Sequence, residues 1–125
     1  MKFPGYRPRT REELGRALAW AKKELHLQSW DIRLVRSIAG HPYLKENLDR
    51  SGAAAINVEN MRADIGIQFD YAKEDDVDPI KILFHEMAHI ACYFDEVADP
   101  DNKLEVLWEQ LANRIAYLLC QLWAQ

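Results

Sequence analysis

The segment Ile82-Leu83-Phe84-His85-Glu86-Met87-Ala88-His89-Ile90-Ala91 constrains the fold more than any other stretch of this chain. It is an apolar run of helical length with His-Glu-x-x-His in its middle. Asp78 is placed to cap the helix, and Pro79 falls in the first turn, where a missing N–H is tolerated. Ile80, Leu83, Phe84, Met87, Ala88, Ile90, Ala91, Tyr93 and Phe94 leave almost no polar face, so the helix is expected to be buried on most sides. Three polar side chains in the middle of such a helix need partners, because unpaired burial costs several kcal/mol.

On a helix, His85 and His89 leave the same face one turn apart. Two neutral imidazoles so placed can hold Zn²⁺ at about 2.0–2.1 Å each. Glu86 lies beside them, about 100° around the helix. From there its carboxylate can reach a water activated by the metal without ligating the ion, the arrangement that metal-assisted hydrolysis needs. The plainer alternative is a core helix with two hydrogen-bonded histidines, since a pattern with three fixed positions also recurs by chance.

The rest of the chain supplies a small α+β domain around this helix. The 125 residues suffice for one domain with a real core. Residues 1–9 carry two prolines and a glycine and read as a flexible arm; residues 10–125 form the domain. Thr10 and Glu13 make a capping box for an N-terminal helix running to about His26. Alternation of Trp30, Ile32, Leu34 and Ile38 with charged residues predicts a half-buried strand. A loop over 39–51, with a short helical turn, leads to a second strand at 53–59. A third strand is expected over 64–71, with Ile65, Ile67, Phe69 and Tyr71 on one face. Gly66 is a weak spot in it, as glycine is where another backbone approaches closely. The sheet thus has three strands, with room for a fourth.

The last helix is expected over 103–123. Leu104, Leu107, Leu111, Ile115, Leu118 and Leu122 make one apolar stripe, and Glu105, Glu109, Ala112 and Ala116 a second beside it. The small alanines permit close approach of another helix, with the glutamates at the rim of that contact.

A catalytic zinc usually has three protein ligands, and the sequence offers three candidates for the third. Glu109 lies on the last helix, with Asn113 one turn later and able to orient a liganding imidazole. Glu105 precedes Glu109 by a turn. Asp95 follows His89 by six positions, but that geometry needs a sharp turn where this chain has Cys92, and a left-handed turn at cysteine is unfavourable. The usual place of a lone glutamate, exposed on a helix, is the alternative for Glu109.

His85-Glu86-x-x-His89 followed by Glu109-Gln110-Leu111-Ala112-Asn113-Arg114-Ile115-Ala116 resembles the small gluzincin-type zinc metallopeptidases. The second segment is similar to the Glu-x-x-Ala-Asn-x-x-Ala helix of bacterial enzymes that cleave phage-type repressors. The order of elements matches the minimal zincin-like domain of phage and bacterial proteins over roughly residues 10–123. The resemblance implies one Zn²⁺ held by His85, His89 and Glu109, Glu86 as general base, and Asn113 supporting the site from behind. It also implies an oxyanion-stabilising tyrosine or histidine, for which Tyr93, Tyr117, Tyr71 and His41 are the candidates. The expected function is hydrolysis of a peptide or protein substrate, paired along the edge of the third strand. The rival expectation is a non-catalytic or latent zinc-binding module answering to a protein regulator, with the N-terminal arm over the cleft.

A net charge of −4 argues against general nucleic-acid or anionic-membrane binding. Cys92 and Cys120 both fall in apolar helical runs and read as small buried side chains. No stretch has the pattern of a signal peptide or membrane span, so a cytoplasmic protein is expected.

Overall fold

The structure, a computed structural model, describes residues 3–93 and 103–124. Among these residues, four helices and a three-stranded sheet make a mixed α+β domain: α1 (Arg11–Glu24), β1 (Asp31–Leu34), β2 (Gly52–Asn57), β3 (Arg62–Ile67), α2 (Phe69–Glu74), α3 (Pro79–Ala91) and α4 (Lys103–Trp123), with a 3₁₀ turn at Lys45–Asn47.

Local chemistry sets the helix ends. Thr10 accepts from the Glu13 N–H while the Glu13 carboxylate accepts from the Thr10 N–H, the capping box expected for α1. The helix stops at Glu24, two residues earlier than the spacing predicts. His26 takes a left-handed φ of 56°, and the Leu27 N–H returns to the Lys22 carbonyl at 2.7 Å, a Schellman closure. Asp76 ends α2 in the same way, at φ 53° with Val77 N–H on the Ala72 carbonyl. Asp78 caps α3 by accepting from Ile80 N–H at 3.0 Å, with Pro79 in the first turn. Asp78 is buried, and the Arg9 guanidinium grips it with two bonds of 3.1 and 2.7 Å. That pairing raises the Arg9 pKa above its ordinary value. It also fastens the segment before α1 to the start of α3. Further out, the Tyr6 N–H donates to Asp76, and Phe3 packs edge-on against Tyr117.

The strand order is β1-β3-β2, with β1 parallel and β2 antiparallel to β3. This corrects the expectation that the third strand is an edge: β3 is central, and β2, an edge strand among the described residues, packs against the helix bearing His85. The third strand is also shorter than expected. It stops at Ile67, because Phe69–Glu74 winds into α2 and carries Phe69 and Tyr71 onto a helix. The first strand likewise ends at Leu34, so Ile38 packs from a loop against Leu44 and Ala53. No fourth strand occurs among the described residues. What approaches Gly66 is not another backbone, as expected, but the Ile38 side chain, which a Cβ there would strike. At Gly52 a Cβ would run into Ile82. Glycine at that point lets β2 lie flat on α3.

The main core lies between α1, α3, α4 and one face of the sheet, around Leu14, Ile65, Leu83, Phe84 and Met87. Trp20 and Trp123 both pack on the Phe84 ring. The second apolar stripe of α4 makes the helix–helix contact: Ala112 and Ala116 are completely buried, and α3 closes onto them. The leucine stripe faces outward, with Leu107 and Leu118 at 58% and 59% exposure.

Candidate metal centre

α3 delivers His85 and His89 to the seam with α4, and the alanine contact brings Glu109 across from them. The two Nε2 atoms are 2.9 Å apart. Glu109 Oε1 is 2.9 Å from His89 Nε2, and Oε2 is 3.2 Å from His85 Nε2. Among the described residues these three side chains form the one group of metal-ligating atoms that all lie within 4.8 Å of one another. Two imidazole nitrogens at 2.9 Å can share only one proton between them. At least one ring therefore carries its hydrogen on Nδ1 and turns an Nε2 lone pair into the cluster. A point about 2.0–2.1 Å from all three ligand atoms is compatible with these separations, and two imidazoles with one carboxylate are a zinc donor set.

Burial and charge hold the donors in ligand form. Desolvation, with His89 beside it, pulls the His85 pKa down to about 4. Desolvation also lowers His89, against the pull of Glu109. Both Nδ1 atoms are buried without a hydrogen-bond partner among the described residues. The His89 ring packs at 4.0 Å on Trp108 of α4. Asn113, one turn past Glu109, is close enough to favour protonated His85, although no regular hydrogen bond joins them.

Glu86 is buried at 8% exposure beside the cluster. Desolvation and the Glu109 carboxylate push its pKa up to about 7, against the pull of Arg50 and Lys81. An open cleft of about 390 Å³ exposes this group together with His85, Glu109 and Glu105, and is floored by Gly52 at the start of β2. Glu105 lines the cleft but stands outside the converging triad. Asp95 lies outside the described residues.

None of the four candidate oxyanion residues is among those lining this cleft. His41 has both ring nitrogens engaged: its Nδ1 accepts from the Tyr43 and Leu44 N–H groups, so Nε2–H donates to Asp64 at 2.8 Å. Tyr71 lies on α2, Tyr117 packs against Phe3, and Tyr93 lines a different groove. The cations that do reach the cleft are Arg50 and Lys81, which the sequence reading missed. Lys81 was findable, being one helical turn before His85 on the same face. Arg50 comes from a loop, where no periodicity points to it.

No helix of the described residues is long and apolar enough to cross a membrane. In comparisons with known proteins, no family model, no curated protein and no solved structure matches this chain.

Proposed function

We propose that the chain is a zinc-dependent peptidase of minimal gluzincin type with a zincin-like fold. The observation that carries this reading is the convergence of His85 Nε2, His89 Nε2 and the Glu109 carboxylate next to a buried Glu86, in a cleft open to a free strand edge. A zinc ion held by those three residues would supply Lewis acidity, acidifying a water molecule and polarising the scissile carbonyl.

The chain's own residues supply the rest. Glu86 takes the proton of the attacking water on its carboxylate and passes it to the leaving amine nitrogen. Its buried position beside Glu109 favours a base that binds and releases a proton near neutrality. Lys81 and Arg50 are the positive groups available to a developing oxyanion, in place of the tyrosine or histidine expected by resemblance. Asn113 steadies His85 from α4. The peptide lies along β2, adding a strand to the sheet. The partners of this reading are a peptide or protein substrate and no nucleic acid.

The second reading is a non-catalytic or latent zinc module. It is favoured by the distance of all four oxyanion candidates from the cleft, and by Phe3 lying under Lys81 Nζ at 4.6 Å, which brings the N-terminal arm to the cleft's margin. Bound zinc, measured by elemental analysis in wild type, Glu109→Ala, Glu105→Ala and Asp95→Ala, together with turnover of a quenched peptide library, separates the readings. Near-stoichiometric zinc lost only in Glu109→Ala, with turnover abolished in Glu86→Gln, is the expected result. Zinc without turnover favours the module, and absence of zinc defeats both.

A further inference from the structure

The outer edge of β2, unpaired among the described residues, runs on beyond the cleft. Ser51 and Gln68 stand opposite each other, and the Gln68 N–H donates to the Ser51 carbonyl at 2.7 Å. In an antiparallel ladder hydrogen-bonded and non-bonded pairs alternate, so Gly52, Ala54 and Ile56 turn their own N–H and C=O outward. Gly52 floors the cleft. Ile56, about 13 Å further along the strand, lines a second groove of about 830 Å³ around the turn end of β2. Ala53, Ala54 and Ala55 connect the two with side chains too small to obstruct the path.

Tyr43 and Tyr93 stand in this second groove at 76% and 46% exposure. They come from opposite sides of the sheet. Tyr43 precedes Leu44, which packs with Ile38 and Ala53 on the face turned away from α3. Tyr93 follows the end of α3, which covers the other face. A single exposed tyrosine is unremarkable. Two that flank one free strand edge suit an added strand, whose successive side chains point alternately to the two faces.

We propose that this groove is a substrate subsite, taking aromatic or large aliphatic side chains between Tyr43 and Tyr93. The inference rests on the peptidase reading above. Antiparallel pairing is the more stable per residue. It places the N-terminal half of the substrate at the Asn57 end, so the residues concerned are about three to five positions before the cleaved bond, at about 3.4 Å per residue.

The test uses zinc-loaded full chain and three decapeptide libraries randomised at the four central positions. One carries Phe at the three N-terminal positions, one carries Phe at the three C-terminal positions, and one has Ser at both ends. The expected kcat/KM for the N-terminal Phe library is at least tenfold above the other two, and this ratio falls to near one in Tyr43→Ala/Tyr93→Ala. A ratio near one in wild type, or one that survives in the double variant, overturns the subsite. Absence of any cleavage that depends on Glu86 defeats the peptidase reading instead. The groove is then judged by fluorescence anisotropy on Glu86→Gln. A tenfold tighter Kd for N-terminal Phe over Ser decapeptides, lost when both tyrosines are removed, upholds it, and equal affinities overturn it.

Discussion

α3 and α4 have similar apolar content and opposite fates. α3 is buried nearly all round, and its large side chains Leu83, Phe84 and Met87 are inside. α4 buries Ala112, Ala116, Leu119 and Cys120, and turns Leu104, Leu107, Leu111, Leu118 and Leu122 outward. The contrast goes with the cluster of His85, His89 and Glu109 at the seam between the two helices. Glu109 sits on the alanine side of α4, and its carboxylate must come within about 3 Å of two imidazoles that are themselves short side chains on a packed helix. Beside Glu109 the alanines let the helices approach closely, since interaxial distance follows side-chain size, and the larger Leu119 is buried further along the same face. On α4 the face that carries Glu109 is inward although most of the leucines lie on the other.

The comparison breaks most visibly at Phe84. Phe84→Ala removes a ring with no exposure, packed by Trp20 and Trp123. The expected loss is about 3–5 kcal/mol, read as a fall in the urea midpoint at unchanged slope. Ala116→Leu attacks the same seam from α4. Overpacking of about 1–3 kcal/mol is expected, and bound zinc should fall as well, because the wedge moves Glu109 and Asn113 away from the histidines. A variant that kept full zinc despite the lost stability would mean that the alanine seam does not position the site.

The same contrast explains what could be read in advance. Periodicity located both long helices, and the capping box and Asp78-Pro79 fixed where α1 and α3 begin, because those signals are local. Spacing put both Glu105 and Glu109 at the rim of the helix contact marked by Ala112 and Ala116 and left Asp95 open as well; it is the folded chain that brings Glu109 to the two histidines. Strand order was not legible: nothing within Arg62–Ile67 distinguishes a central strand from an edge, and the answer lies in the parallel pairing with the distant β1. Phe69 and Tyr71 alternate with Ile65 and Ile67 as a strand would, yet α2 overrides the pattern. The direction of the leucine stripe was equally hidden. Apolar spacing identifies a face, and the packing of small residues against α3 decides which face turns inward.

A pH experiment sharpens the contrast between the polar groups of the α3 middle and their surroundings. His85 has a folded pKa of about 4, below the ordinary 6.5 of a free imidazole. The unfolded chain therefore binds the extra proton first, and His85 makes the metal-free protein less stable as pH falls from 6.5 to 4. Glu86 has its folded pKa raised from 4.5 to about 7, so between those values the folded chain binds more protons and gains stability as pH falls. The two slopes oppose each other between about pH 4.5 and 6.5. Glu86→Gln removes one of them. Metal-free Glu86→Gln is expected to lose about 2 kcal/mol more than wild type on going from pH 6.5 to 4.5, measured by urea denaturation in chelator. Parallel pH profiles would show that the two groups do not offset each other.

The smallest effect is expected where the apolar surface looks greatest. Leu118→Gln replaces a leucine that is more than half exposed with a residue of similar helix propensity. If α4 sends only its alanine face inward, stability should change by about 0.5 kcal/mol or less, zinc content should not change, and solubility should rise. Leu83→Gln, the same exchange on α3, puts an unpaired amide among Leu14, Phe84 and Met87 and should cost several times as much. A large loss from Leu118→Gln would mean that the stripe is covered in the folded protein. In that case the two helices would differ in what they pack against, and the burial of leucine would again be the rule for both.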